Sequence, residues 1–63
     1  MPMSERFLDY LRREHARLQD LIDRERRRPV QDELQRARLA RLDLAVRNQI
    51  AELEAAAREA RAA

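Results

Sequence analysis

Apolar residues recur every third or fourth position on both sides of Pro29, and the stretch Arg26-Arg27-Arg28-Pro29-Val30-Gln31-Asp32-Glu33 divides the two runs. Before it, the stepping picks out Leu8, Leu11, His15, Leu18, Ile22 and Glu25, with Phe7 and Leu21 widening the stripe and Tyr10 on its flank. After it, the same stepping picks out Gln35, Leu39, Leu42, Val46, Ile50, Leu53 and Ala57. A period between three and four residues is that of an amphipathic α-helix. Pro29 has no backbone donor and disfavours helical geometry at Arg28, so the first helix must stop there. Arg24, Arg26, Arg27 and Arg28 then fall at its negative end, and Asp32 and Glu33 fall in the first turn of the next helix, the charge placement the helix dipole favours. The pattern predicts helix 1 over about residues 5–27, a turn over about 28–31 and helix 2 over about 32–61, all in one domain. Ser4 is expected to cap helix 1, with Met3 and Leu8 as a hydrophobic staple.

An antiparallel fold-back pairs the two stripes in order: Ile22 with Leu39, Leu18 with Leu42, His15 with Val46, Leu11 with Ile50, Leu8 with Leu53 and Ser4 with Ala57. Such a matched register is what a helical hairpin requires, and a single extended helix has no need of it. The expected seam is therefore Leu8, Leu11, His15, Leu18, Ile22, Leu39, Leu42, Val46, Ile50 and Leu53. Helix 2 is the longer, about 45 Å at 1.5 Å per residue, so Glu54 to Ala63 is expected to run past the start of helix 1.

Composition agrees with an all-α fold, since the chain has no Gly and two Pro in 63 residues. It also limits how the fold is stabilised. Sixty-three residues bury little apolar surface, and with no cysteine there is neither a disulfide nor a thiolate metal site to supplement the core. Self-association is the remaining route. Phe7, Tyr10, Leu21, Leu34 and Leu44 lie off the seam and form the expected self-association face, with Met3, Ala37, Ala51 and Ala55 beside them. The expected assembly is a homodimer that completes a four-helix bundle with coiled-coil-type packing, open to a further protein partner.

Charge narrows the functional classes. Fourteen arginines, with no lysine, face 12 acids for a net charge of +2. Six acids stand four residues before an arginine: Asp9 and Arg13, Asp20 and Arg24, Asp23 and Arg27, Asp32 and Arg36, Asp43 and Arg47, Glu54 and Arg58. That spacing marks solvated helical faces rather than paired catalytic carboxylates. His15, the one histidine, sits in the predicted apolar layer, where it is expected to pack against Gln49, Asn48, Glu14 or water; no companion residues complete a metal set around it. With no phosphate-cradling glycine loop and no Ser/His/Asp set, the chain is expected to be non-enzymatic, without cofactor or small-molecule substrate. The rival role is nucleic-acid binding through Arg24, Arg26, Arg27 and Arg28. Asp20, Asp23 and Glu25 interleave with those arginines, and Phe7 and Tyr10, the two aromatic residues, are at the opposite end of the hairpin. No apolar run reaches the roughly 18 residues of a membrane span, and the first residues lack the apolar core of a signal peptide, so a cytoplasmic location is expected.

Glu14-His15 followed by Leu18 and Ile22, the break Arg28-Pro29-Val30-Gln31-Asp32, then Leu39, Leu42, Leu44 and Asn48-Gln49-Ile50-Ala51-Glu52-Leu53, together resemble the YdcH-like family of short bacterial helical-hairpin proteins. The resemblance covers about two thirds of the chain. It implies a small cytoplasmic bacterial hairpin, and it carries no activity, because the family is one of unknown function. The family's helix 2 is usually lysine-rich with an Asp-Glu-Ile segment, whereas this chain carries arginine and Asn48-Gln49-Ile50.

Overall fold

The computed structural model describes residues 3–62, with side chains from residue 5 onward. Two helices, α1 (Met3–Arg26) and α2 (Glu33–Ala62), pack against each other as a hairpin. The molecule is a rod of 51 × 17 × 13 Å, one helix thick. α1 starts two residues before the expected Glu5; the Met3 and Ser4 side chains, on which the cap, the staple and the Ser4–Ala57 pairing rest, lie outside the described residues.

The reversal is built from hydrogen bonds rather than from special backbone angles. No described residue has a positive φ, as suits a chain without glycine. The amide of Arg27 donates to the carbonyls of Asp23 and Arg24 (3.3 and 3.2 Å), and that of Arg28 to Glu25 (3.3 Å), which tightens the last turn of α1. Gln31 Nε2 then donates to the carbonyls of Arg26 (3.2 Å) and Arg28 (3.0 Å), satisfying acceptors that the ended helix leaves free. Asp32 lies just outside α2 rather than in its first turn: its Oδ1 accepts the Gln35 amide at 3.1 Å, and its carbonyl accepts the Arg36 amide at 3.0 Å, as an N-cap does.

Leu11, Leu18 and Leu39 are the fully buried apolar residues, and Leu8, Ile22, Val46, Ile50 and Leu53 are half-buried along the same line. Two expectations need correcting. Leu42 is 54% exposed and is not a seam residue; Asp43, one position on, is buried in its place. The tail of α2 does not run past α1 from Glu54 onward, because Glu54 Oε2 accepts from Arg12 Nη2 at 3.0 Å and a groove joins Glu5, Leu8 and Arg12 to Ala57 and Arg61.

Candidate functional site

The densest polar arrangement is at mid-height, around Asp43. Its side chain is 5% exposed, and one oxygen, Oδ1, is 2.7 Å from His15 Nδ1. The other, Oδ2, accepts from Gln19 Nε2 at 2.9 Å and lies 3.2 Å from Arg47 Nε. A carboxylate oxygen only accepts, so the short contact to His15 assigns a proton to Nδ1. Three donors from both helices therefore converge on one buried acid, which replaces the lost hydration of the charge. None of the partners expected for His15, namely Gln49, Asn48 and Glu14, is the one it uses. Sequence reading placed Asp43 on a solvated face because it stands four residues before Arg47. The overlooked signal was that Asp43 also stands four residues after Leu39, on the seam stepping itself, opposite the donors His15 and Gln19.

Among the described residues no group of three or more His, Cys, Asp or Glu side chains could hold a metal ion. The bond between His15 and Asp43 occupies the imidazole nitrogen and the carboxylate oxygen that face each other. Glu25, the other buried acid, has Arg28 Nη1 3.4 Å from each of its carboxylate oxygens.

The bonds across the seam reveal that the hairpin has two unlike broad faces. With each helix turned toward its partner, an antiparallel pair brings the same rotational side of both helices to one face. His15, Gln19 and Arg12 of α1 meet Asp43, Arg47 and Glu54 of α2 on one such face, which also carries Arg26, Glu33 and Arg36 along a shallow groove. At ~100° per residue, Phe7, Tyr10, Glu14 and Leu21 fall on the other side of the Leu11–Leu18 line, and Leu42, Gln49 and Ala56 fall on the matching side of Leu39. The Phe7 and Tyr10 rings stack there at 6.2 Å between centroids and 13° between planes. Phe7, Tyr10 and Leu42 are exposed, and Leu21 is half-buried.

The expected self-association face therefore divides. Phe7, Tyr10 and Leu21 share this apolar face, and Leu42 joins them. Leu34 and Leu44, both exposed, each lie five residues from Leu39, about 140° around α2 and on its outward side, so they belong to a different surface. Glu14 and Arg17, at the middle of the apolar face, are bonded to each other through Arg17 Nε and Nη2. That hydrogen bond holds the Glu14 carboxyl below its usual range and raises the Arg17 guanidinium.

The arginine cluster at the turn is exposed but largely engaged. Arg24 lies 3.5 Å from Asp20, Arg26 lies 4.0 Å from Asp23 and Arg28 lies 3.4 Å from Glu25. Of the six expected acid–arginine pairs, Asp20–Arg24 and Asp43–Arg47 form. Asp9, Asp23 and Arg36 instead use partners three residues away: Arg12 at 3.7 Å, Arg26 at 4.0 Å and Glu33 at 3.2 Å. Asp32 is taken by the cap, and Glu54 bridges to Arg12 of the other helix. No described helix is long and apolar enough to cross a membrane. Comparisons with protein-family models, curated proteins and solved structures return no match to this chain.

Proposed function

We propose that this hairpin is a non-enzymatic interaction module that acts by self-association, its helices contributing half of a four-helix bundle. The observation that carries the reading is the thinness of the core: Leu11, Leu18 and Leu39 are the buried apolar side chains, while Phe7, Tyr10 and Leu42 stand in solvent. A chain of this size needs more buried apolar surface than three leucines, and a partner supplies it. Sedimentation equilibrium over a wide concentration range tests it, with thermal melting alongside: the protein is expected to dimerise, and its Tm to rise with concentration. A folded monomer at every concentration refutes it.

Nucleic-acid binding by Arg24, Arg26, Arg27 and Arg28 is disfavoured because Arg24, Arg26 and Arg28 are already paired with acids. Weak, sequence-blind association with RNA or DNA at physiological salt is the expected result. Micromolar or tighter binding would overturn the preference, provided its log-log salt slope of roughly −3 to −4 flattens when the four arginines become Gln.

A further inference from the structure

We infer that the docking partner of the Phe7–Tyr10–Leu21–Leu42 face is a second copy of this chain, seated face to face through a two-fold axis, and that the charged face and the outward Leu34 and Leu44 remain in solvent. The inference rests on the self-association reading above and adds to it the surface and its occupant.

Area is the first argument. The chain exposes 5350 Å². A compact monomer of 7.5 kDa is expected to expose about 4,200 Å² by the usual scaling of surface with mass. The excess, about 1,100 Å², exceeds the ~800 Å² that each partner contributes to a stable interface of ordinary size. A rod one helix thick has this excess because each helix is covered on one side alone. Covering one broad face with another hairpin removes it.

Charge is the second argument, and it selects the face. Two copies joined by a two-fold axis present the same patch to each other, so an unpaired charge there would meet its own like. The seam-bonded face carries Arg12, Arg26, Arg36, Arg47, Glu33 and Glu54, each paired within the chain, and covering it would strip water from all of them at once. On the opposite face the charges at mid-height are Glu14 and Arg17, which neutralise each other within one chain. Around that pair lie Phe7, Tyr10, Leu21, Leu42, Gln49 and Ala56, with Arg24 and Arg38 on the same flank toward the turn. Heptad spacing relates Phe7, Glu14 and Leu21 on α1 and Leu42, Gln49 and Ala56 on α2, so Phe7, Leu21 and Leu42 are the large apolar side chains a facing hairpin would engage along these stripes.

The test compares Tyr10→Arg and Leu42→Gln with Leu44→Gln by sedimentation equilibrium, with circular dichroism to follow helix content. The first two are expected to weaken dimerisation by roughly 30-fold or more, the effect of losing a central anchor, while Leu44→Gln leaves it unchanged. In case the first two variants unfold, the wild-type protein is also followed by NMR on dilution. The resonances of Phe7, Tyr10, Leu21 and Leu42 are expected to move with concentration while those of Leu34 and Leu44 stay fixed. If Leu44→Gln weakens the dimer as much, or the Leu34 and Leu44 signals are the ones that move, the face is wrong although self-association stands. A wild-type protein that stays monomeric refutes both.

Discussion

Replacing Asp43 by Ala is the most informative single perturbation, because it removes an acid that three side chains were folded around. A hydrogen bond to a charged group contributes about 1.5–3 kcal/mol net when both partners are buried. The three bonds to Asp43 are unequal in this respect. His15 is 34% exposed, and Arg47, at 57%, behaves as a surface partner and adds little. Both, with the exposed Gln19, recover water when the carboxylate is gone. The expected cost is therefore about 2–3 kcal/mol rather than the sum of three buried bonds. For a chain of this length that lowers Tm by roughly 10–20 °C.

Asp43→Asn keeps the shape but turns one acceptor into a donor that faces Gln19 and Arg47, so it should fall between wild type and Asp43→Ala. Asp43→Leu reverses the sign of the argument: an apolar residue at a seam position avoids burying a carboxylate, and it should match or exceed wild-type stability. The assay is thermal and urea unfolding by circular dichroism at one fixed protein concentration, because association shifts apparent stability. A double-mutant cycle with His15→Ala should give a coupling of about 1 kcal/mol. A coupling near zero, together with an Asp43→Ala cost under about 0.5 kcal/mol, would show a solvated Asp43 and refute the packing of α2 described above.

Leu18→Ala, at a residue 2% exposed, should cost about 2–4 kcal/mol, whereas Leu42→Ala should cost much less in dilute samples and progressively more as concentration rises; equal costs at high dilution would place Leu42 back in the seam. Asp32→Ala should lose about 1 kcal/mol through its cap on α2, with Asp32→Ser restoring most of it; no loss would mean the cap bond is absent in solution. The Glu14–Arg17 bond should contribute stability that is present above the ordinary carboxylate range and disappears as pH falls through the lowered value of folded Glu14. Acid titrations of wild type and Glu14→Gln should therefore converge at low pH, and a gap that widens there would reverse the sign.

Much of the hairpin was legible because its signals are local. Pro29 fixes the break, periods of three and four define the helices, and Asp32 sits where a cap belongs although it reads equally well as a first-turn acid. Rotation of α2 about its own axis was not legible in the same way. Leu42 and Asp43 are neighbours, and hydrophobicity alone chooses the leucine. The structure chooses the aspartate because His15 and Gln19 lie opposite and supply donors, a fact about two segments more than twenty residues apart in sequence. The reach of α2 at the open end was misjudged as well, because it was read from the two helix lengths and not from the partners of individual residues. Arg12 bridges to Glu54 there, while Leu11, Leu18 and Leu39 are buried as the seam requires.

Asp43 in the seam also has a consequence outside it. Placing position 43 rather than position 42 against α1 turns α2 so that Leu42 leaves the seam and joins Leu21, Phe7 and Tyr10 on one flank. His15, Gln19 and Arg47 gather around Asp43 on the other. One buried acid thereby sorts the surface residues of both helices into a polar flank and an apolar flank. Substitution by Leu is then expected to stabilise the isolated hairpin while weakening its specificity, because an apolar residue at position 43 accepts more than one rotation of α2 and no longer requires Leu42 on the exposed side. The Asp43→Leu protein should melt at least as high as wild type, yet show broader NMR lines and a mixture of oligomers by sedimentation. A single sharp dimer from that variant would mean that the apolar face organises the pairing of the helices without help from Asp43.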